Sequence, residues 1–166
     1  MSDITPDAAY RASTWPRPDG TTITLGELQD TAQEVVPRLW QGGLHAARLV
    51  EGLNPDVIVN LTPLGRSAPL DFKGLYIEFP FDDGDRLPDP ATLHPLVDLL
   101  AELHYQEKTL LIHCEAGLNR SGLVCALLLR SRSCSADVAI GTLRARRDPF
   151  VLCNADFERY VKEWTV

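Results

Sequence analysis

The sequence predicts an α/β fold, a central and mainly parallel sheet flanked by helices. Short apolar, β-branched runs such as Val57-Ile58-Val59 and Leu110-Leu111-Ile112 suit buried strands. Segments with helical spacing of apolar residues separate and follow them, and such alternation implies layers around a parallel sheet. The chain has 166 residues, 45% hydrophobic and 23% charged, which fits one soluble domain with a single core.

Residues 1–33 carry Pro6, Pro16, Pro18 and Asp19-Gly20, the punctuation of turns. They are expected to form an N-terminal extension packed on a domain spanning 34–166. Within the extension, Thr24-Leu25-Gly26-Glu27 fits a capping box and predicts a short helix through Glu34. Arg38-Leu39-Trp40-Gln41 reads as a strand closed by Gly42-Gly43, and Leu44 to Leu53 as a short helix. Asp56 to Leu61, between Pro55 and Pro63, reads as a buried strand, and Leu75 to Phe79 as another that ends at Pro80. Asp89 starts a long amphipathic helix through Tyr105, with Pro90 at a favoured first-turn position. Thr109 to His113 is the fourth and central strand. Helices follow over Ser121–Arg132, Ser135–Arg146 and Asn154–Trp164.

Lys and Arg number 16 against 23 Asp and Glu, a net charge of −7. That argues against bulk nucleic acid as a partner, which needs a broad basic face, so any phosphate chemistry has to come from a local site. No apolar run approaches the roughly 20 residues that cross a bilayer, and no membrane partner is expected. The acidic start Met1-Ser2-Asp3 lacks the apolar segment of a secretory signal, so the expected location is the cytoplasm. The cysteines Cys114, Cys125, Cys134 and Cys153 show no CxxC pairing, and His45, His94 and His104 lie on separate elements. No metal site and no cofactor is therefore expected.

Cys114 needs its own explanation. The segment Ile112-His113-Cys114-Glu115-Ala116-Gly117-Leu118-Asn119-Arg120-Ser121-Gly122 runs from a hydrophobic strand through a short loop into an apolar helix. Open α/β sheets place ligand sites beyond the carboxyl ends of their strands, and helix N-termini favour anions. A loop containing Gly117 can curl so that the amides of Glu115, Ala116, Gly117, Leu118 and Asn119 converge on an anion, with Arg120 as a planar bidentate partner. A free Cys has a pKa of about 8.5, which falls to roughly 3.5–7.5 beside a helix N-terminus and a cation, so Cys114 should attack as a thiolate. Ser121 could hydrogen-bond the sulfur as it leaves. A lone Cys at a strand end would read as buried packing; Cys, Gly, Arg and Ser together at one strand-to-helix junction read as a nucleophile in a phosphate cradle.

His113-Cys114, five residues, then Arg120-Ser121-Gly122 resembles the signature of the protein tyrosine phosphatase superfamily, most closely its compact dual-specificity branch. The resemblance extends over Val35 to Trp164. Leu39-Trp40-Gln41-Gly42-Gly43 resembles the branch's first core strand, and Asn154 with Phe157 its late segment that braces the phosphate loop. It implies a protein tyrosine phosphatase-like (dual-specificity) fold, a role for His113 in orienting the thiolate, and an Asp on a loop upstream of the Cys as general acid and later base. Pro80-Phe81-Asp82-Asp83-Gly84-Asp85 lies in that place. It resembles the corresponding run in the phosphatases of regenerating liver, whose register selects Asp83, with Asp82 and Asp85 as competitors.

The function implied is a cysteine-dependent protein phosphatase acting on phosphotyrosine, and in reach of phosphoserine and phosphothreonine, through a phosphocysteine. The alternatives are a non-protein substrate (an inositol phospholipid, a sugar phosphate or an RNA 5′-triphosphate) and an inactive phospho-binding module. Glu115 in the loop disfavours polyanions. Arg144, Arg146 and Arg147 read as stabilising a helix C-terminus before they read as a second phosphate site. Cys125 and Cys153 read as packing residues before they read as redox partners of Cys114.

Overall fold

The computed structural model describes residues 6–63, 69 and 71–165. Its first elements are held by local hydrogen bonds. α1 (Pro6–Arg11) leads into a hairpin of β1 (Thr14–Pro16) and β2 (Thr22–Thr24), turned at Asp19-Gly20 with Gly20 at φ +85°. α2 (Leu25–Asp30) opens with the predicted capping box: Thr24 Oγ1 accepts from Glu27 N–H at 3.1 Å, and Glu27 Oε2 from Thr24 N–H at 2.7 Å. The helix stops at Asp30 and not at Glu34. Thr31 is extended, and Ala32–Val36 form β3, an edge strand of the main sheet with a register shift between Glu34 and Val36. Pairing with the neighbouring strand, with Ala32 and Val35 buried, outweighs the helical tendency of Gln33 and Glu34.

The main sheet adds β4 (Leu39–Gly42), β5 (Val57–Asn60), β6 (Leu75–Glu78) and β7 (Leu110–His113), in the order β3-β4-β7-β5-β6. β3 is antiparallel to β4; every other pairing is parallel, so the sheet is mixed but mainly parallel. β5 and β7 are buried along their whole length, as their continuous apolar runs require. The registers set Gly42 and Asn60 on either side of His113, so three strand ends surround the start of the loop that follows β7. The predicted helix from Leu44 shrinks to one turn, α3 (Ala46–Leu49). Leu44 N–H is given to the Glu115 carbonyl at 3.0 Å and His45 N–H to the Gln29 carbonyl at 2.8 Å, so this stretch is tied to its neighbours before a helix can start.

The long helices fall close to their predicted limits because their caps are local. Asp89, Ser135 and Asn154 each cap a helix with a side-chain oxygen, starting α4 (Pro90–Tyr105), α6 (Ala136–Arg146) and α7 (Ala155–Glu163). α5 (Arg120–Ser131) is buried continuously from Arg120 to Leu129, packed among α4, α6, α7 and the sheet. That burial fixes its N-terminus, and with it the end of the loop, in a rigid core. No helix among the described residues is long and apolar enough to cross a membrane.

Candidate active site

β7 runs directly into Cys114, and the chain curls back to enter α5 at Arg120. The partners of the loop carbonyls show which way its peptide groups face. The Glu115 carbonyl accepts from Leu44 N–H at 3.0 Å and the Leu118 carbonyl from Leu152 N–H at 3.3 Å. The Ala116 carbonyl accepts from Arg147 Nη2 at 3.1 Å, and the Gly117 carbonyl from Arg147 Nε at 3.2 Å and Gln41 Nε2 at 3.1 Å. Each planar peptide unit points its N–H opposite to its carbonyl, so carbonyls drawn outward turn the amides of residues 116–119 inward. Among the described residues those amides donate to no protein acceptor. They form a nest of dipoles at the α5 N-terminus, and both features favour an anion. Gly117 permits the curl: its φ is +70°, and a Cβ there would stand 2.6 Å from Gly42 C and O.

Cys114 is 2% exposed, and its Sγ lies 3.4 Å from Ser121 Oγ. Gln41, wholly buried, donates from Nε2 to Ser121 Oγ at 3.2 Å as well as to the Gly117 carbonyl. The carbonyl identifies that amide atom as the nitrogen, so Ser121 Oγ accepts from Gln41 and from the Cys114 thiol, and its own proton is available to the sulfur once that is a thiolate. Arg120, 6% exposed, donates from Nη1 to the Phe81 carbonyl at 3.3 Å, while its Nη2 lies 3.7 Å from Glu115 Oε2. Its buried Nε has no partner among the described residues, which leaves donor capacity on the guanidinium. Burial pushes the His113 ring down from 6.5 to about 4, against the opposing influence of the Cys114 backbone, so the ring is neutral near pH 7. Its buried Nδ1 has no hydrogen-bond partner among the described residues.

Of the three candidate acids, Asp83 lines the cavity that contains Cys114 and Arg120; Asp82 and Asp85 do not. Asn119 Nδ2 donates to Asp83 Oδ2 at 3.0 Å, and Asn154 Nδ2 to Asp83 Oδ1 at 3.1 Å. Asn154 also donates to the Gly84 carbonyl at 2.8 Å, gives its backbone N–H to Asn119 Oδ1 at 2.9 Å, and caps α7. One side chain thus ties the acidic loop to the phosphate cradle.

The arginines do not act together. Arg144 holds the Val151 and Leu152 carbonyls and Glu158, Arg146 lines a separate groove, and Arg147 reaches under the cradle. Arg147 was not singled out by the sequence, because nothing local separates it from its neighbours. Cys125 is fully buried in α5, where burial and the nearby Cys114 push its thiol well above the ordinary range, the state of an inert packing residue. Cys153 is exposed, lines the cavity, and donates to Asn119 Oδ1 at 3.4 Å. The N-terminal segment contributes Tyr10, Ser13, Trp15 and Leu25 to the same cavity. No cluster of His, Cys, Asp and Glu among the described residues is arranged to hold a metal.

Residues 43–166 match the family model of the dual specificity phosphatase catalytic domain. Dual specificity protein phosphatase 2 of Mus musculus is 26% identical over 117 residues, a match covering 69% of this chain and 37% of that protein. The Homo sapiens protein of the same name is 27% identical with the same coverage. The chain thus corresponds to little more than a third of these relatives' length. A mouse protein named as a putative dual specificity phosphatase, solved with zinc tungstate, superposes with a TM-score of 0.68 at 22% identity, covering 80% of this chain and 84% of that one. Human DUSP28 gives 0.67 at 23% identity, covering 80% and 90%. At these identities the structural likeness shows the fold.

Proposed function

Because the chain belongs to the dual specificity phosphatase catalytic-domain family, we propose that it is a cysteine-dependent phosphatase that hydrolyses phosphotyrosine in proteins. The observation that supports this most is the loop itself: carbonyls held outward, amides turned inward, and Cys114, Arg120 and Asp83 lining one cavity.

The substrate phosphoryl group binds in the nest, with the Arg120 fork on its oxygens. Cys114 Sγ attacks phosphorus as the bond to the ester oxygen breaks, and Asp83 gives its proton to that oxygen. The phosphocysteine is then attacked by water, whose proton passes to Asp83. The sulfur–phosphorus bond breaks, the sulfur takes back the bonding pair beside the Ser121 hydroxyl, and inorganic phosphate leaves. Glu115, which partly offsets Arg120 at the rim, works against inositol polyphosphates and triphosphates.

The test is hydrolysis of an aryl phosphate with and without chelators, followed by mass spectrometry of a quenched turnover. The expected result is chelator-insensitive activity, phosphate on Cys114, and loss of both in Cys114→Ser. Phosphate on any other side chain would overturn the reading. A panel of phosphotyrosine, phosphothreonine, lipid and RNA substrates then ranks the substrate classes.

A further inference from the structure

The cavity over Cys114, about 380 Å³ in volume, has a second wall that phosphoryl transfer does not use. It comes from the N-terminal segment: Tyr10, Ser13, Trp15 and Leu25. This wall is fixed to the domain. Arg11 pairs with Asp30 at 2.6 Å, and Arg17 pairs at 2.7 Å with the buried carboxylate of Asp148, the residue after Arg147. Leu25 N–H donates to the Ser13 carbonyl at 2.9 Å, and Thr14 lies opposite Thr24 in the hairpin. The Tyr10 hydroxyl donates to Glu115 Oε1 at 3.4 Å, which joins the wall to the phosphate loop.

Two large aromatic side chains on this wall stay open to solvent: Trp15 is 38% exposed and Tyr10 51%. Cys114, by contrast, lines the same cavity at only 2% exposed. A phosphoryl group seated on Cys114 therefore extends its ester group past the aromatic wall. A tyrosyl ester puts a flat ring there, where it can pack against indole and phenol faces. A seryl or threonyl ester puts the peptide backbone there, whose amides find no matching partners on an aromatic surface and lose hydration. The acidic side chains at the rim, Asp83 and Glu115, oppose a second phosphate.

Building on the hydrolase reading above, we propose that Trp15 and Tyr10 form an aryl-binding wall that makes phosphotyrosine the preferred substrate over phosphoserine and phosphothreonine. The wall is a specificity element and takes no part in bond making.

The experiment compares kcat/KM for two peptides that differ only in phosphotyrosine or phosphothreonine at one position. It uses the full chain, Trp15→Ala, Tyr10→Ala and Trp15→Phe. Each alanine variant should lose about 2- to 12-fold on the phosphotyrosine peptide, the range set by one aromatic pair. The phosphothreonine peptide should be little changed, and Trp15→Phe should recover most of the loss. Equal losses on both peptides, no loss on either, or failure of Trp15→Phe to recover activity overturns the wall while leaving the hydrolase standing. Absence of phosphocysteine in the unaltered protein overturns both.

Discussion

Replacing Arg147 tests whether the cradle is held from beneath. Arg147 is 7% exposed, and its guanidinium spans five acceptors: the Gly117 carbonyl at 3.2 Å, Ala116 at 3.1 Å, Leu28 at 2.7 Å, Thr31 Oγ1 at 2.8 Å and Gln33 Oε1 at 2.5 Å. In Arg147→Met, Gly117 keeps its bond to Gln41, and Thr31 and Gln33 are partly open to water. The Leu28 and Ala116 carbonyls lose their donors, at about 1–3 kcal/mol each, or about 2–6 together. Against this stands the cost of burying the charge, which lowers the Arg147 pKa well below the ordinary guanidinium range, to about 10, and corresponds to about 3 kcal/mol. The net lies between a gain of about 1 kcal/mol and a loss of about 3, centred on a loss of about 1, read as a fall of about 0.3–1 M in the urea midpoint. Function should suffer beyond stability, because the amides of residues 117 and 118 are aimed through the two carbonyls that Arg147 holds. Inhibition by inorganic phosphate should weaken about tenfold or more, an energy of about 1.4 kcal/mol. Arg147→Lys, which keeps charge but not the fork, should fall between. An Arg147→Met protein with an unchanged midpoint and unchanged phosphate inhibition would refute this account.

Asp83→Ala should lower kcat by about 10²-fold or more for esters with poor leaving groups and far less for activated aryl esters, with Asp82→Ala nearly normal. If Asp82→Ala shows the larger effect, the cavity geometry has been misread. His113 sets an acid limit on stability. Its ring has a folded pKa of about 4 against 6.5 ordinarily, so the unfolded chain binds the extra proton as pH falls through that window. The stability is full above pH 6.5 and declines toward pH 4, by about 3 kcal/mol at most, and urea midpoints across that range should lose this component in His113→Asn. Gln41→Leu removes the donor that commits the Ser121 proton to the sulfur. It should slow phosphocysteine breakdown more than its formation, seen as a larger initial burst of leaving group relative to the steady rate; an unchanged ratio would count against that role.

Most of the fold is legible because its signals are local. The runs at β5 and β7 can only be buried strands, and Asp89, Ser135 and Asn154 mark helix starts by their own chemistry. Ala32–Val36 fails that test. Gln33 and Glu34 favour a helix as readily as a strand, and the assignment to β3 is made by β4 across the sheet. The pairing of Thr14–Pro16 with Thr22–Thr24 is likewise hidden behind the Pro and Gly residues that announce only the turn between them.

The candidate site divides along the same line. Cys114, Gly117, Arg120 and Ser121 lie within one loop and one helical turn, so their spacing alone brings them together. Gln41, Arg147, Tyr10 and Trp15 arrive from distant parts of the chain, and no spacing rule joins them to Cys114. Gln41 did leave a trace: a polar side chain in a strand position that the sheet buries completely needs a polar partner, and here the partners are the loop and its serine. Arg147 left none, since Arg144 and Arg146 share its helix end and only the tertiary fold decides which guanidinium turns inward. The chemistry of the loop is thus written in contiguous residues, while the residues that hold its shape and line its approach are supplied by long-range packing.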